Sequence, residues 1–474
     1  MRTESKIFDF INKILSKIQE KCEFLTKNSF VLSNIEQLMF VFICLACVCS
    51  LFLGNSATAP ILCAVGVLYV LTMFLKNGAK LTLNKSSLFL ILYLVTAIIS
   101  TINSTMPHAS MTGFSKTVLY MLFFVAVYQY LKIHREKIFL LGGLIGICVS
   151  FEIAVAFMQN YLDVMSAATW QDTSRLNPEL VLTRVYGTLK PSNPNLLGGY
   201  FVAAVPFLWM TTAINYIEKK NKRFIINFIF SVLSVPAIFM TGCRGAYLAL
   251  FAMLLVVALA TYDIWKHHYP KIYSWVNAKK NTILGIGFAA VAGVMICVPK
   301  ISHRILSIFA MRNDSSTSFR MNVYHSSWQM FQDNVLMGIG CGNKVFREIY
   351  GLYMLSGFDA LSAYSVFLEI AVESGIFALI FFVLFLWFLV YYAYKAFKKT
   401  TKIREKIILA SGFASVAGVL IHGFVDTVYF RPQVQLMFWT VVAVLYVYSF
   451  DNTKLFASVE KIIATFSSAR LKVI

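Results

Sequence analysis

The chain has 474 residues, of which 58% are hydrophobic and only 14% charged. That balance is too apolar and too thinly charged for a soluble domain of this length, so the bilayer is the solvent to reason with. A net charge of +20 would suit a nucleic-acid partner. The basic residues, however, sit in the segments between apolar runs, as membrane topology requires, and no nucleic-acid partner is expected.

In chain order, the first 36 residues carry Ile7, Ile11, Ile14 and Ile18 at helical spacing, with Lys6, Lys13, Lys17 and Lys21 among them. This predicts a cytoplasmic amphipathic arm (1–36) lying on the anionic leaflet. The arm has no compact apolar core followed by a small-residue cleavage site, so the first span is expected to be a retained signal anchor.

Stretches of roughly 20 apolar residues, the length that crosses a hydrocarbon core of roughly 30 Å, then recur to the region of Tyr448. Spans are predicted near 37–53, 57–75, 87–102, 118–131, 138–158, 196–217, 224–241, 244–262, 281–298, 362–394, 407–423 and 433–449. The fold class is therefore all-α: a polytopic membrane domain (37–449) of about twelve helices with an outer-face helical loop, closed by a cytoplasmic amphipathic tail (450–474). With the N-terminus inside, 30 of the 42 Lys and Arg residues fall on inside segments, as in EKKNKR at 218–223. Both termini are expected in the cytoplasm.

Cys44, Cys47, Cys49, Cys63, Cys148 and Cys297 lie in apolar runs and read as small hydrophobes. Cys243 and Cys341 would both face outside, where they could pair. Three outer segments, near 103–117, 159–195 and 299–361, are longer than connection requires and are candidates for function. In the third, Arg320, Tyr324, Trp328 and Phe331 recur every three or four residues, as on one face of a surface helix.

Charged groups at membrane depth cost on the order of 3 kcal/mol each, so each asks for a reason. Glu152, Arg244, Glu369, Glu373 and Asp426 are such groups, and with His422 most sit toward the outer half. Glu369 and Glu373 share a helix face; a structural salt bridge, for example with Arg244, is one reading of them and a place in a functional site the other. Arg244, between glycines in TGCRGAYLAL, either snorkels to the interface or offers a bidentate fork to a phosphate. Arg320 would bring a second fork to the same outer cavity, and GIGCGN at 338–343 brings the Gly340 and Gly342 amides, which could cradle an anion. Asn193 and Asn195 belong to a rigid turn, PSNPN, entering the sixth span. His422, Asp426 and Arg431 cluster in one outside turn.

These segments, in this order, resemble the O-antigen ligase and polymerase superfamily of bacterial membrane glycosyltransferases. The matching pieces are GTLKPSNPNLLGGY, TGCRGAY, SFRMNVYHSSW through GIGCGN, and SAYSVFLEIAVESG, over roughly residues 185–376. The last of these and HGFVDTVYFRPQVQ look more like a branch whose cyanobacterial members carry a bicarbonate-transporter label. The resemblance implies a bacterial inner-membrane enzyme that moves or polymerises a glycan carried on undecaprenyl pyrophosphate to an outer-face acceptor, with no nucleotide, metal or other cofactor required. It further implies that Arg244 and Arg320 bind the pyrophosphate. Where the family pattern has a catalytic histidine this chain has Tyr364, a poor base at an ordinary pKa near 10, which shifts the expected base to Glu369 or His422. Glu373, Asn193, Asn195, Asp426 and Arg431 are expected in support. A transporter of bicarbonate or another small anion, and a noncatalytic partner in envelope assembly, are the competing readings.

Overall fold

The computed structural model describes residues 6–80, 85–164, 182–306, 315–355 and 357–449. Among the described residues every regular element is helical. The arm forms α1 (Lys6–Asn28) and the single turn α2 (Phe30–Ser33). The bundle then runs α3 (Ile35–Cys49), α4 (Asn55–Leu75), α5 (Lys85–Asn103), α6 (Pro107–Ile133), α7 (Lys137–Tyr161), α8 (Pro194–Ile217), α9 (Asn221–Met240) and α10 (Arg244–His268). After α11 (Pro270–Ala278) come α12 (Lys280–Cys297), α13 (Pro299–Leu306), α14 (Ser315–Asp333) and α15 (Asn343–Tyr350), and the chain closes with α16 (Val366–Lys399), α17 (Ile403–Gly423) and α18 (Pro432–Tyr448).

Nine helices among the described residues are long and apolar enough to cross a membrane. Two shorter apolar helices, Ile35–Cys49 and Pro432–Tyr448, and the helix Lys280–Cys297 stand at the other three predicted spans. The protein is thus an all-helical, multi-pass membrane protein. Helices α8 and α18 are buried on nearly every side, so the others are arranged around them. Such all-round apolar helices have no polar face to give water, and they pack at the centre.

The arm packs Leu15 into the bundle core and is clipped there by a hydrogen-bonding side chain. Gln19 donates to the Met73 and Ala79 carbonyls (2.8 and 2.9 Å) and accepts from the Gly78 amide (3.1 Å). The predicted tail lies outside the described residues. Helix α14 departs from the predicted single face: Arg320 and Tyr324 turn inward, while Trp328 is exposed and Val323 and Met330 are buried instead. Cys243 and Cys341, which the sequence left free to pair, stay as thiols, each with another neighbour: Cys243 Sγ lies 3.3 Å from His422 Nε2 and Cys341 Sγ 3.4 Å from Ser374 Oγ.

Helix α16 is interrupted. Gly375 has φ +81°, ψ 176°, so the first nine residues form a separate segment that carries Glu369 and Glu373. A break inside a membrane protein is tolerated only where the freed backbone groups find partners. Here the 335–342 turn supplies them: Ile376 N donates to Val335 O (2.8 Å), Ile339 N to Val372 O (2.9 Å) and Gly340 N to Glu373 O (3.0 Å). A Cβ at Gly375 would stand 2.2 Å from Leu336 O, so only glycine permits this contact.

Candidate active site

Odd and even spans place the starts of α4, α6, α8, α10, α16 and α18 and the ends of α5, α7, α9 and α17 at one end of the bundle. Between them lies a cavity of about 900 Å³. Its walls carry Tyr364, Glu369, Arg320, Gly342, Asn193, Asn195, Glu373, Asp426 and Arg431, all of them sequence candidates. The spacing of more than two hundred residues between Asn195 and Asp426 is closed by the fold.

The geometry begins with Asp426. Its Oδ1 accepts the Thr427 and Val428 amides (2.8 and 3.2 Å), which fixes the entry to the short 3₁₀ turn Val428–Phe430. Its Oδ2 accepts Asn195 Nδ2 (3.1 Å) and Arg320 Nη2 (2.9 Å). Arg320 Nη1 also donates to the Val425 carbonyl (3.1 Å), and the guanidinium carbon lies 5.3 Å from the centre of the Tyr364 ring. Burial would lower the Arg320 pKa, but the adjacent Asp426 carboxylate outweighs it and the net shift is upward. Arg320 is therefore a fixed cation with N–H groups to spare.

Asn195 extends the chain of contacts to a residue the sequence reading missed. Its Oδ1 accepts from Arg184 Nη2, while Arg184 Nε donates to Thr241 O (2.9 Å). Asn193 caps α8 by accepting the Asn195 amide (2.8 Å), with Pro194 at the first helical position, so the same turn aims both asparagines. Arg184 lines the cavity from a buried, extended stretch that α7 holds in place. Gln159 accepts the Tyr186 and Gly187 amides (3.0 and 2.9 Å) and donates to Gly187 O (2.9 Å), and Glu152 accepts the Thr188 amide (3.0 Å) and hydroxyl. These contacts give Glu152 its reason for being at membrane depth. Burial, with Arg304 beside it, lowers the Arg184 pKa to about 10, which leaves it a cation at neutral pH. The one signal for it in the sequence was its place just before GTLKPSNPN.

Three candidates fall elsewhere. Arg244, the half-buried first residue of α10, is not among the residues lining the cavity, so the expected convergence of Arg244 with Arg320 there is replaced by Arg184 with Arg320. His422 is buried outside the cavity, facing Cys243 and close to Gly199 and Gly245 at a helix crossing, and cannot reach a substrate held there. The Gly-rich turn is also corrected. Gly340 N serves Glu373 O, Cys341 N serves Ser110 Oγ (2.8 Å), and Gly342 N donates to Glu373 Oε1 (2.8 Å). These amides are spent inside the protein, and the one that meets an anion, Gly342 N, meets the protein's own Glu373 carboxylate.

Glu373 is thus committed to the turn, whereas Glu369, one helical turn earlier and also facing the cavity, has only a 3.3 Å contact to its Oε2 from the Ala363 amide. Neither glutamate forms an ion pair among the described residues, which removes the salt-bridge reading with Arg244. Arg431 lines the cavity at the start of α18 with no hydrogen bond from its guanidinium among the described residues. Tyr364 sits at φ +50°, a strained conformation for an aromatic residue and one that marks functional sites. Burial and then Asp426 raise its phenol above the ordinary value, so it stays protonated.

Together these features define a multi-pass membrane protein with a half-open cavity that sets preorganised arginines beside a buried carboxylate. Residues 229–383 match the family model described as O-Antigen ligase, and this match supports a place in the O-antigen ligase superfamily. The match takes in α14, the Gly-rich turn and both glutamates; Arg184, Asn195, Asp426 and Arg431 lie outside it. It supports a ligase or polymerase of lipid-linked glycans in general terms and does not reach the narrower bicarbonate-transporter-like branch. No curated protein matches the chain.

Proposed function

We propose that the protein is a membrane glycosyltransferase which moves, or polymerises, a glycan from an undecaprenyl pyrophosphate carrier to an acceptor hydroxyl at the outer face of the bacterial inner membrane. The observation that carries this reading is the joint placement of Arg184, Arg320 and Arg431 with Glu369 around one cavity. In this reading twelve spans with both termini in the cytoplasm put that cavity outside, as the distribution of basic residues favours.

The acceptor oxygen attacks the anomeric carbon, and the bond from that carbon to the phosphate oxygen breaks. The electron pair leaves with the diphosphate, whose growing charge the three guanidiniums meet without reorganising. The acceptor proton passes to the Glu369 carboxylate. Tyr364, protonated and stacked on Arg320, holds the guanidinium rather than acting as the base.

For an anion transporter the cavity would have to continue toward the other membrane face. One helical turn below its lining residues Tyr120 and Gln435 stand Phe124 and Trp439, with ring centroids 5.5 Å apart, and Phe385 stands 6.2 Å from Trp439. All three are buried, and this packed aromatic layer favours the enzyme. The deciding experiment is the purified protein in liposomes, given lipid-linked glycan with an acceptor in one assay and labelled bicarbonate in the other. Glycan transfer that depends on Glu369 is expected. Anion uptake with no transfer from any lipid-linked donor would replace this reading with transport.

A further inference from the structure

The three arginines supply what a departing diphosphate needs, yet the cavity holds more positive charge than that. Lys116 on α6 and Lys344 on α15 also line it. Neither forms an ion pair or hydrogen bond among the described residues, and Asp359, an acidic side chain that also lines the cavity, is already taken by Arg347 through Nε (2.8 Å) and Nη2. The two lysines are brought together by a backbone contact. Gly113 lies so close to the 341–342 peptide that a Cβ there would stand 2.4 Å from Cys341 O and 2.7 Å from Gly342 Cα. Lys116 follows Gly113 by one helical turn, and Lys344 follows Gly342 by two residues. Ser110, on the same face of α6, holds Cys341 N, so the junction is fixed and not a chance approach.

We infer that this junction is a second, separate anion station, and that the saccharide handled in the cavity carries carboxylates. The inference rests on the glycan-transfer reading for its location but not for its test. Two exposed ammonium groups at a cavity mouth suit a dispersed carboxylate on a sugar ring better than a diphosphate, which calls for buried bidentate forks. The acidic sugar belongs either to the transferred chain or to the acceptor.

The test is binding by the full-length protein in nanodiscs of zwitterionic phosphatidylcholine, with tetragalacturonate and a neutral tetrasaccharide of the same length as probes. Tetragalacturonate is expected to bind about fivefold more tightly, the size that two exposed charge contacts give, and the preference should fade as salt rises. It should vanish in the Lys116→Gln, Lys344→Gln double variant and persist in the Lys→Arg pair. Equal binding of the two probes, or a preference that survives the double glutamine variant, would overturn the inference. Preferential binding without transfer from any lipid-linked donor would leave the station standing and remove the enzyme reading; transfer without charge preference would do the reverse. Where transfer occurs, an acidic donor with a neutral acceptor, and the swapped pair, tell the two sources apart. The double variant should raise KM on the side that carries the carboxylates, and a KM unmoved in both arms would count against the station.

Discussion

Arg320 Nη2 meets Asp426 Oδ2 at 2.9 Å, and that same oxygen accepts the Asn195 amide that leads to Arg184. One carboxylate therefore sets the position of two cavity arginines, one on a helix and one on an extended segment. Breaking a buried ion pair by removing one partner costs about 3–5 kcal/mol, because the other charge is left without compensation. Asp426→Ala is expected to lower thermal stability and to cut transfer at least a hundredfold. Asp426→Asn keeps an acceptor oxygen and should fall between Ala and the parent. Unchanged transfer by folded Asp426→Ala protein would show that the hub does not position the arginines.

The break in α16 makes a separate claim about folding. Gly375→Ala forces a Cβ against Leu336 O at a φ of +81°, where strain of about 1–3 kcal/mol is added to a clash with backbone that cannot rotate away. A clear fall in the melting temperature of the detergent-solubilised protein is expected. A variant that melts with the parent would mean that the 335–342 turn is not held as described.

Much of this was legible in the sequence, because spans are set by apolar length and the bilayer leaves few alternatives. Helix positions for all twelve predicted spans follow from that constraint, and nine of the twelve site candidates line one cavity. The errors have a common cause. Sequence shows which groups could donate or accept, but not which are already engaged: the Gly340 and Gly342 amides had the right chemistry and were taken by Glu373. His422 sits only four residues before Asp426, yet its helix face turns to Cys243 at the α10–α17 crossing. Arg184 was missed because a lone arginine in a long loop has no periodicity to mark it, and only the contacts from Gln159 and Glu152 bring its segment into the wall.

Arg431 and Arg244 separate the structure from the sequence pattern most sharply. Arg431 faces the cavity with its guanidinium uncommitted among the described residues, whereas Arg244 stands outside the lining. Arg431→Lys should reduce transfer about tenfold although charge is kept, and Arg431→Ala about a hundredfold, as loss of one preorganised contact at a developing anion implies. Arg244→Lys should be milder than Arg431→Lys. The reverse order in kcat/KM would return the pyrophosphate to the α9–α10 turn.

The identity of the base gives the last prediction. Glu369 faces the cavity with a single weak amide contact, Glu373 is spent on the Gly-rich turn, and Tyr364 is held protonated by burial and by Asp426. Because the phenol is pushed up and not down, its ionisation lies above the neutral range, and no limb of the rate profile between about pH 6 and 9 should belong to it. Glu369→Gln, which keeps shape and hydrogen bonding but cannot take a proton, should lower kcat by roughly a hundredfold or more with little change in KM. Tyr364→Phe should cost far less, since the ring under Arg320 remains. Tyr364→His places an imidazole where the family pattern has one, and it should be tolerated; in a Glu369→Gln background it should restore part of the lost rate. If Tyr364→Phe proves as damaging as Glu369→Gln, the hydroxyl and not the carboxylate handles the acceptor proton, and the assignment of Glu369 fails.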